Sequence, residues 1–239
     1  MHEFWAEYLL IISILFLAGL TQGALGFGFG IVAITLLPLV LGLRDAVSLM
    51  APMNLMAMGI SFYLTRKGFS WKTARHMIIW GILGVPVGVF MLAEFSESIM
   101  IRIFGFFLLF ASISHFAVPG RLKSNTTPAR DSFAGCLSGV LAGAFAMGGP
   151  PLVIYLYSRD WPLERIKSAM ISVYFSTSVM RLLFVGVSAE DPRRTILLFL
   201  AAALPVALFL RTGAVLAQKL PATRLRKGVF VYLGIVGVA

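Results

Sequence analysis

Apolar runs with almost no charge recur along the chain, at 8–43, 46–65, 77–93, 103–118, 133–158, 168–188 and 195–210, with a short last run from Gly228. A helix needs about 20 residues to cross a hydrocarbon core of about 30 Å, and most of these runs are close to that length. The pattern predicts an all-α polytopic membrane protein. The first run is too long for one span and carries a break, "GALGFGFG" at residues 23–30, with four glycines in eight residues. Glycine weakens a helix, and in lipid every backbone group must still find a partner. The break divides the run into a helix over 8–22 of about 22 Å and another over 29–42 of about 21 Å, each short of a full span. A hairpin of two half-helices that enters and leaves on one side fits this division. Two tilted full spans fit it too.

Slid against itself by 120 positions, the chain meets identical residues at ten of the 34 positions from 17 to 50. Gly19, Gly23, Ala24, Gly28 and Met50 fall opposite Gly139, Gly143, Ala144, Gly148 and Met170. The glycine break therefore has a twin, "GAFAMGGPP" at 143–151. Two equivalent interruptions in two halves mark the binding site of a transporter built from repeats. The expected organisation is a first transmembrane repeat at 1–118, a cytoplasmic linker at 119–130 rich in Pro, Ser, Asn and Thr, and a second repeat at 131–239.

Charge sets the orientation. Arg66, Lys67, Lys72 and Arg75 form one basic cluster, Arg121, Lys123 and Arg130 a second, and Lys219, Arg224, Arg226 and Lys227 a third. Basic loops face the cytoplasm. Parallel repeats would put the third cluster outside. If each hairpin returns to its own side, the halves are inverted, and these clusters fall inside together with Arg159, Arg165 and Lys167. Glu3, Glu7, Glu94 and Glu97 then fall outside. The expected fold is two inverted repeats, each a broken-helix hairpin plus three transmembrane helices.

At each break a new half-helix begins, and its first N–H groups lack an intrahelical acceptor. Those donors and the positive end of the helix dipole make an anion site near the midplane. The candidate substrate-binding residues are Gly26, Gly28 and Gly30 in the first half and Met147, Gly148, Gly149 and Pro150 in the second. On the helix after each break, Asn54 aligns with Tyr174 and Pro52 with Ser172. Hydroxyl and amide donors there would complete a pocket for an oxoanion. Bonds from Ser and Thr to their own helix carbonyls are the competing reading. Arg181 is a cation inside an apolar span, which reads either as a functional charge or as a side chain snorkelling to the span's end. Gly19, Gly23, Gly139 and Gly143 have the four-residue spacing of close helix packing.

Composition narrows the function. The 239 residues are 59% hydrophobic and 13% charged, with 20 Lys and Arg against 10 Asp and Glu. The mean hydropathy is +0.92. A net charge of +10 would suggest nucleic acid in a soluble chain. Here it marks loops against anionic lipid, and the aromatic-basic interleaving of single-strand binding is missing. The bilayer and a small anion are the expected partners, and an oligomer is compatible with the pattern. All ten acidic residues sit at ends or in loops, and His2, His76 and His115 are terminal or near span ends. No metal-ligand spacing or Walker motif appears, so no cofactor, metal or ATP is expected. Cys136 is the lone cysteine and excludes an intrachain disulfide. Glu3 and Glu7 stand where a secretory signal would be basic, so no cleavage is expected.

The glycine run at 23–30 and the G-G-P at 148–150, placed in two repeated halves of a chain this long, resemble the sulfite exporter TauE/SafE family. The resemblance covers essentially the whole chain. It implies an inner-membrane secondary transporter, not an enzyme, for sulfite, sulfonates and related anions. This chain departs from the commoner three-glycine form, since Phe27 and Phe29 interleave its first set. A carrier of a small carboxylate, a membrane-embedded enzyme acting on lipid head groups and an assembly subunit are the alternatives. The enzyme would need acid/base residues grouped at one membrane face, and the loops supply no such group.

Topology is directly testable. In a Cys136→Ser background, single cysteines at 67 and 219 are expected to be protected from an impermeant thiol reagent applied outside intact cells. Rapid labelling at 219 with protection at 67 would exclude inversion.

Overall fold

The computed structural model describes residues 2–96, 98–100, 102–103, 105–106, 109, 127–185 and 192–217. The linker at 119–126, most of the run at 103–118, the loop at 186–191 and the basic cluster at 219–227 lie outside the described residues. The chain is helical: α1 (His2–Leu25), α2 (Phe29–Leu36), α3 (Pro38–Leu41), α4 (Leu43–Thr65), a short 3-10 turn (Arg66–Gly68), α5 (Trp71–Glu94), α6 (Pro128–Phe145), α7 (Gly149–Tyr157), α8 (Leu163–Val185) and α9 (Pro192–Ala217). Among the described residues, α1, α4, α5 and α9 are long and apolar enough to cross a membrane. Large apolar side chains such as Leu83, Phe90, Leu200 and Leu204 are exposed on α5 and α9, as a lipid-facing surface requires.

The first helix is longer than its sequence pattern suggests. It runs for 24 residues, about 36 Å, and stops only at Leu25. Gly19 and Gly23 do not end it, because both lie in a packed seam against α9. What ends it is Gly26, whose φ of +78 is a left-handed conformation that L side chains resist. Pro38 then separates α2 from α3, since it has no N–H to give to Ile34, and the bonds resume from Leu41 to Leu37. In the second half Pro128 opens α6, so the last residues of the stretch expected as linker are helical.

α2 and α7 each fold against the long helix before them. α2 packs on α1. α7 doubles back along α6: Tyr155 and Arg159, at and just past its far end, both bond Asp131 in the first turn of α6. The Arg159–Asp131 pair spans 2.5 Å and is buried, with the guanidinium also stacked over the Tyr155 and Trp161 rings.

The two halves exchange partners. On α1, Gly19 faces Val206 and Gly23 faces Leu210 of α9, so these helices run parallel. On α6, Gly135 faces Met77, Gly139 faces Gly81 and Gly143 faces Val85 of α5, again in parallel. The positions 19 and 23 correspond to 139 and 143 at the repeat offset, so the same seam is built twice, each time with the last described long helix of the other half. In contrast, α4 and α8 run antiparallel: Asn54 meets Ser178, Gly59 meets Phe175, and Gly68 meets Ser168. Rings of Phe62 and Phe175 stack at 5.5 Å along this contact.

These seams have no room for a side chain. A Cβ on Gly139 would fall on the Gly81 carbonyl oxygen, and one on Gly88 on that of Val140. Backbone cannot yield as a side-chain tip can. Gly139→Ala is therefore expected to cost at least about 1–3 kcal/mol, an overpacking penalty, read as a lower melting temperature in detergent. Leu204→Ala, 69% exposed, should leave the melting temperature within a few degrees.

Candidate functional site

Both breaks turn through a left-handed residue, and at equivalent positions. Gly26 has φ +78 and Ala146, 120 residues on, has φ +54. The alanine pays for this conformation, about 1–2 kcal/mol for an L residue, so its surroundings must hold it there. Asn54 does so by donating from Nδ2 to the Ala146 carbonyl at 3.3 Å and to Ser178 Oγ at 3.0 Å. Gly28 follows with φ +111, whereas Gly148 has φ −92. Gly148 is glycine for a different reason: a Cβ there would lie 2.6 Å from Ser138 Oγ.

The starts of α2 and α7 face one another. A Cβ on Gly30 would lie 3.0 Å from the Ala146 carbonyl oxygen, and one on Gly149 would touch Ile31 at 3.6 Å. Between them is a small, partly open cavity lined by Gly28, Gly30, Asn54, Met147, Gly148, Gly149 and Tyr174 among others. Seven of the expected site residues thus share one cavity.

The remaining four do not line it. The face that Gly26 would give a Cβ lies against the Lys167 stem, at 3.3 Å, on the far side of the break. Pro150 is buried in the first turn of α7, where its missing N–H costs nothing. Ser172 spends its hydroxyl on the Ser168 carbonyl at 2.6 Å. Arg181 is 2% exposed and donates from Nε to the Gly143 carbonyl at 3.2 Å, so it does not snorkel.

The donors divide into two sets. Side chains tie down the carbonyls of the second break: Asn54 on Ala146, Ser138 on Gly148 at 2.7 Å, and Tyr174 on Gly149 at 2.8 Å. Tyr174 has one O–H and Asn54 two amide hydrogens, and these bonds use all of them. They brace the break and are not offered to a ligand, contrary to the role their residue types suggest. The backbone supplies the other set. In α2 the first intrahelical bond is from Val32 N–H to the Gly28 carbonyl, so Phe29, Gly30 and Ile31 N–H groups precede it. Phe29 N–H goes to Gln22 Oε1 at 3.2 Å. Gly30 and Ile31 both line the cavity. In α7, Pro150 and Pro151 have no N–H, which leaves Gly149 as the first-turn donor beside it.

Gln22 escaped the sequence reading. It is 1% exposed, lines the cavity, and makes only long contacts from Nε2, 3.7 Å to Met58 Sδ and 3.5 Å to Ser61 Oγ. The signal was present: a lone amide just ahead of the glycine run, with apolar Ala142 at the equivalent position. Thr177 also lines the cavity but bonds its own helix, at 3.0 Å to the Val173 carbonyl. The space is therefore lined by the starts of two helices and one side-chain amide, and the Ala146, Gly148 and Gly149 carbonyls beside it each take a side-chain donor.

Comparison with known proteins bears on what fills it. A protein from Cupriavidus necator named "Probable sulfite/organosulfonate exporter TauE" is 26% identical over 169 residues, 68% of this chain and 66% of its own length. The match therefore spans just under two thirds of that relative. No solved structure matches. The model of the sulfite exporter TauE/SafE family matches residues 11–239, nearly the whole chain, and the protein belongs to that family.

Proposed function

We propose that the protein is a secondary transporter that exports sulfite or small organosulfonates, binding the anion between the starts of α2 and α7. The observation that carries this reading is the facing pair of helix N-termini, with Gly30 and Gly149 set across one cavity. An oxoanion there would accept from Gly30, Ile31 and Gly149 N–H groups and from Gln22 Nε2. It would sit at the positive ends of two dipoles with no cationic side chain lining the cavity to trap it. The sulfur comes from the family and from the name of the Cupriavidus necator relative, not from the cavity. Since the family is one of transporters, the membrane-embedded enzyme is set aside.

Alternating access between inverted repeats is the mechanism that fits. Its support is that α4 and α8, equivalent at the repeat offset, cross in antiparallel contact, as an axis in the membrane plane requires. The basic residues Arg159, Arg165 and Lys167, near the α7–α8 junction, then face the cytoplasm of an inner membrane. Moving an anion out of a cell that is negative inside gains about 2.3 kcal/mol per charge per 100 mV, so export needs no coupling ion.

Two variants test the site. Gly149→Val keeps ordinary contacts, since its Cβ meets Ile31 at 3.6 Å, but fills the approach to the amide. It is expected to melt near wild type and to lose efflux of labelled sulfite from proteoliposomes by more than tenfold. The parallel change at Gly148 is no clean probe, because Ser138 occupies that space. Gln22→Glu keeps an oxygen for Phe29 N–H but replaces the donor with a negative charge. Its apparent sulfite affinity should fall at least tenfold at unchanged melting temperature. Normal efflux by Gly149→Val would overturn the site.

A further inference from the structure

One buried charge is left over. The Arg181 guanidinium is 2% exposed, and among the described residues its Nη1 and Nη2 atoms have no hydrogen-bond partner. Only Nε is used, on the Gly143 carbonyl in the last turn of α6. An uncompensated buried cation is costly. A cap for the end of α6 would not need it, since one neutral donor would serve that carbonyl. The part of the side chain that is idle is the forked pair of nitrogens, the geometry that grips two oxygens of one oxoanion.

Its place in the fold suggests the occupant. Arg181 is one turn past Thr177 on α8, and its partner Gly143 is next to Ala142; Thr177 and Ala142 both line the anion cavity. Lys167 approaches the first break from the opposite end of α8. The cavity lies between the two cations along the helix, and Arg181, about one turn or roughly 6 Å past Thr177, does not itself line it.

We propose that Arg181 is a second oxoanion station: the anion leaves the backbone amides at Gly30 and Gly149 and is received by the free Nη1/Nη2 fork on its way out. This rests on the transport reading of the same cavity and adds a residue that governs passage rather than first capture. The buried charge is tolerated because it is paired transiently by the passing anion. Binding at the amides and turnover through the protein therefore depend on different residues.

The test uses the full chain in proteoliposomes with labelled sulfite, and compares R181M and R181K with wild type and with Gly149→Val. R181M should melt within a few degrees of wild type, because removing the uncompensated charge offsets the loss of the donor to the Gly143 carbonyl. Its maximal efflux should fall at least tenfold with KM within about threefold, and R181K, which keeps the charge, should recover part of the rate. A structural arginine behaves differently. If R181M melts lower and loses rate only in proportion to the folded fraction, or if it keeps wild-type efflux, the second station is wrong. Should wild type itself move no sulfite, the transport reading fails with it. Loss of binding in Gly149→Val with normal turnover in R181M would leave the cavity site standing and remove Arg181 alone.

Discussion

A helix that stops inside a membrane leaves amide and carbonyl groups with no water to satisfy them, and the architecture follows from how those groups are handled. The Ala146, Gly148 and Gly149 carbonyls at the second break are given side-chain donors, from Asn54, Ser138 and Tyr174. The amides are handled in three ways. Pro150 and Pro151 have none to satisfy, Gln22 takes that of Phe29, and Gly30, Ile31 and Gly149 line a shared cavity. A covered negative end beside an uncovered positive one is an electrostatic arrangement suited to an anion. It needs no cation in the cavity, which would favour holding the anion over releasing it.

The glycine seams serve the same end. Broken helices have lost the regular bonding that makes a span self-sufficient, so they must be clamped by neighbours. Gly19 and Gly23 bring the backbone of α1 directly onto α9, and Gly139 and Gly143 bring α6 onto α5. Because each half clamps the other's broken helix, neither break is held by its own half alone. Contact between α4 and α8, with Asn54 reaching across to Ala146 and Ser178, joins the two clamps at the level of the cavity.

Much of this was legible in the sequence, and for identifiable reasons. The breaks were visible because glycine and proline act locally: a G-x-G or G-G-P in an apolar run has few other uses. The equivalence of the halves was visible because identical residues recur at one offset. The packing spacing of Gly19 and Gly23 was legible and is what the structure shows. The helix was nevertheless ended at 22 because the glycine run begins at Gly23, and only the packing against Leu210 carries it on to Leu25. Ala146 was invisible for the complementary reason, since nothing in an alanine announces a left-handed backbone. Asn54 and Tyr174 line the cavity, but their donors are directed at carbonyls, which residue type cannot reveal. Gln22 was passed over because its partner is a backbone N–H seven residues on, a contact that exists only once the chain turns.

The central claim is that an oxoanion is held by backbone amides at two opposed helix starts. Selenite has the shape and charge of sulfite and scatters X-rays anomalously. In crystals of the protein grown with selenite, the account predicts an anomalous peak between Gly30 and Gly149, with selenium about 4 Å from both amide nitrogens. A peak found only among the exposed arginines and lysines, with none between the two helix starts, would contradict it.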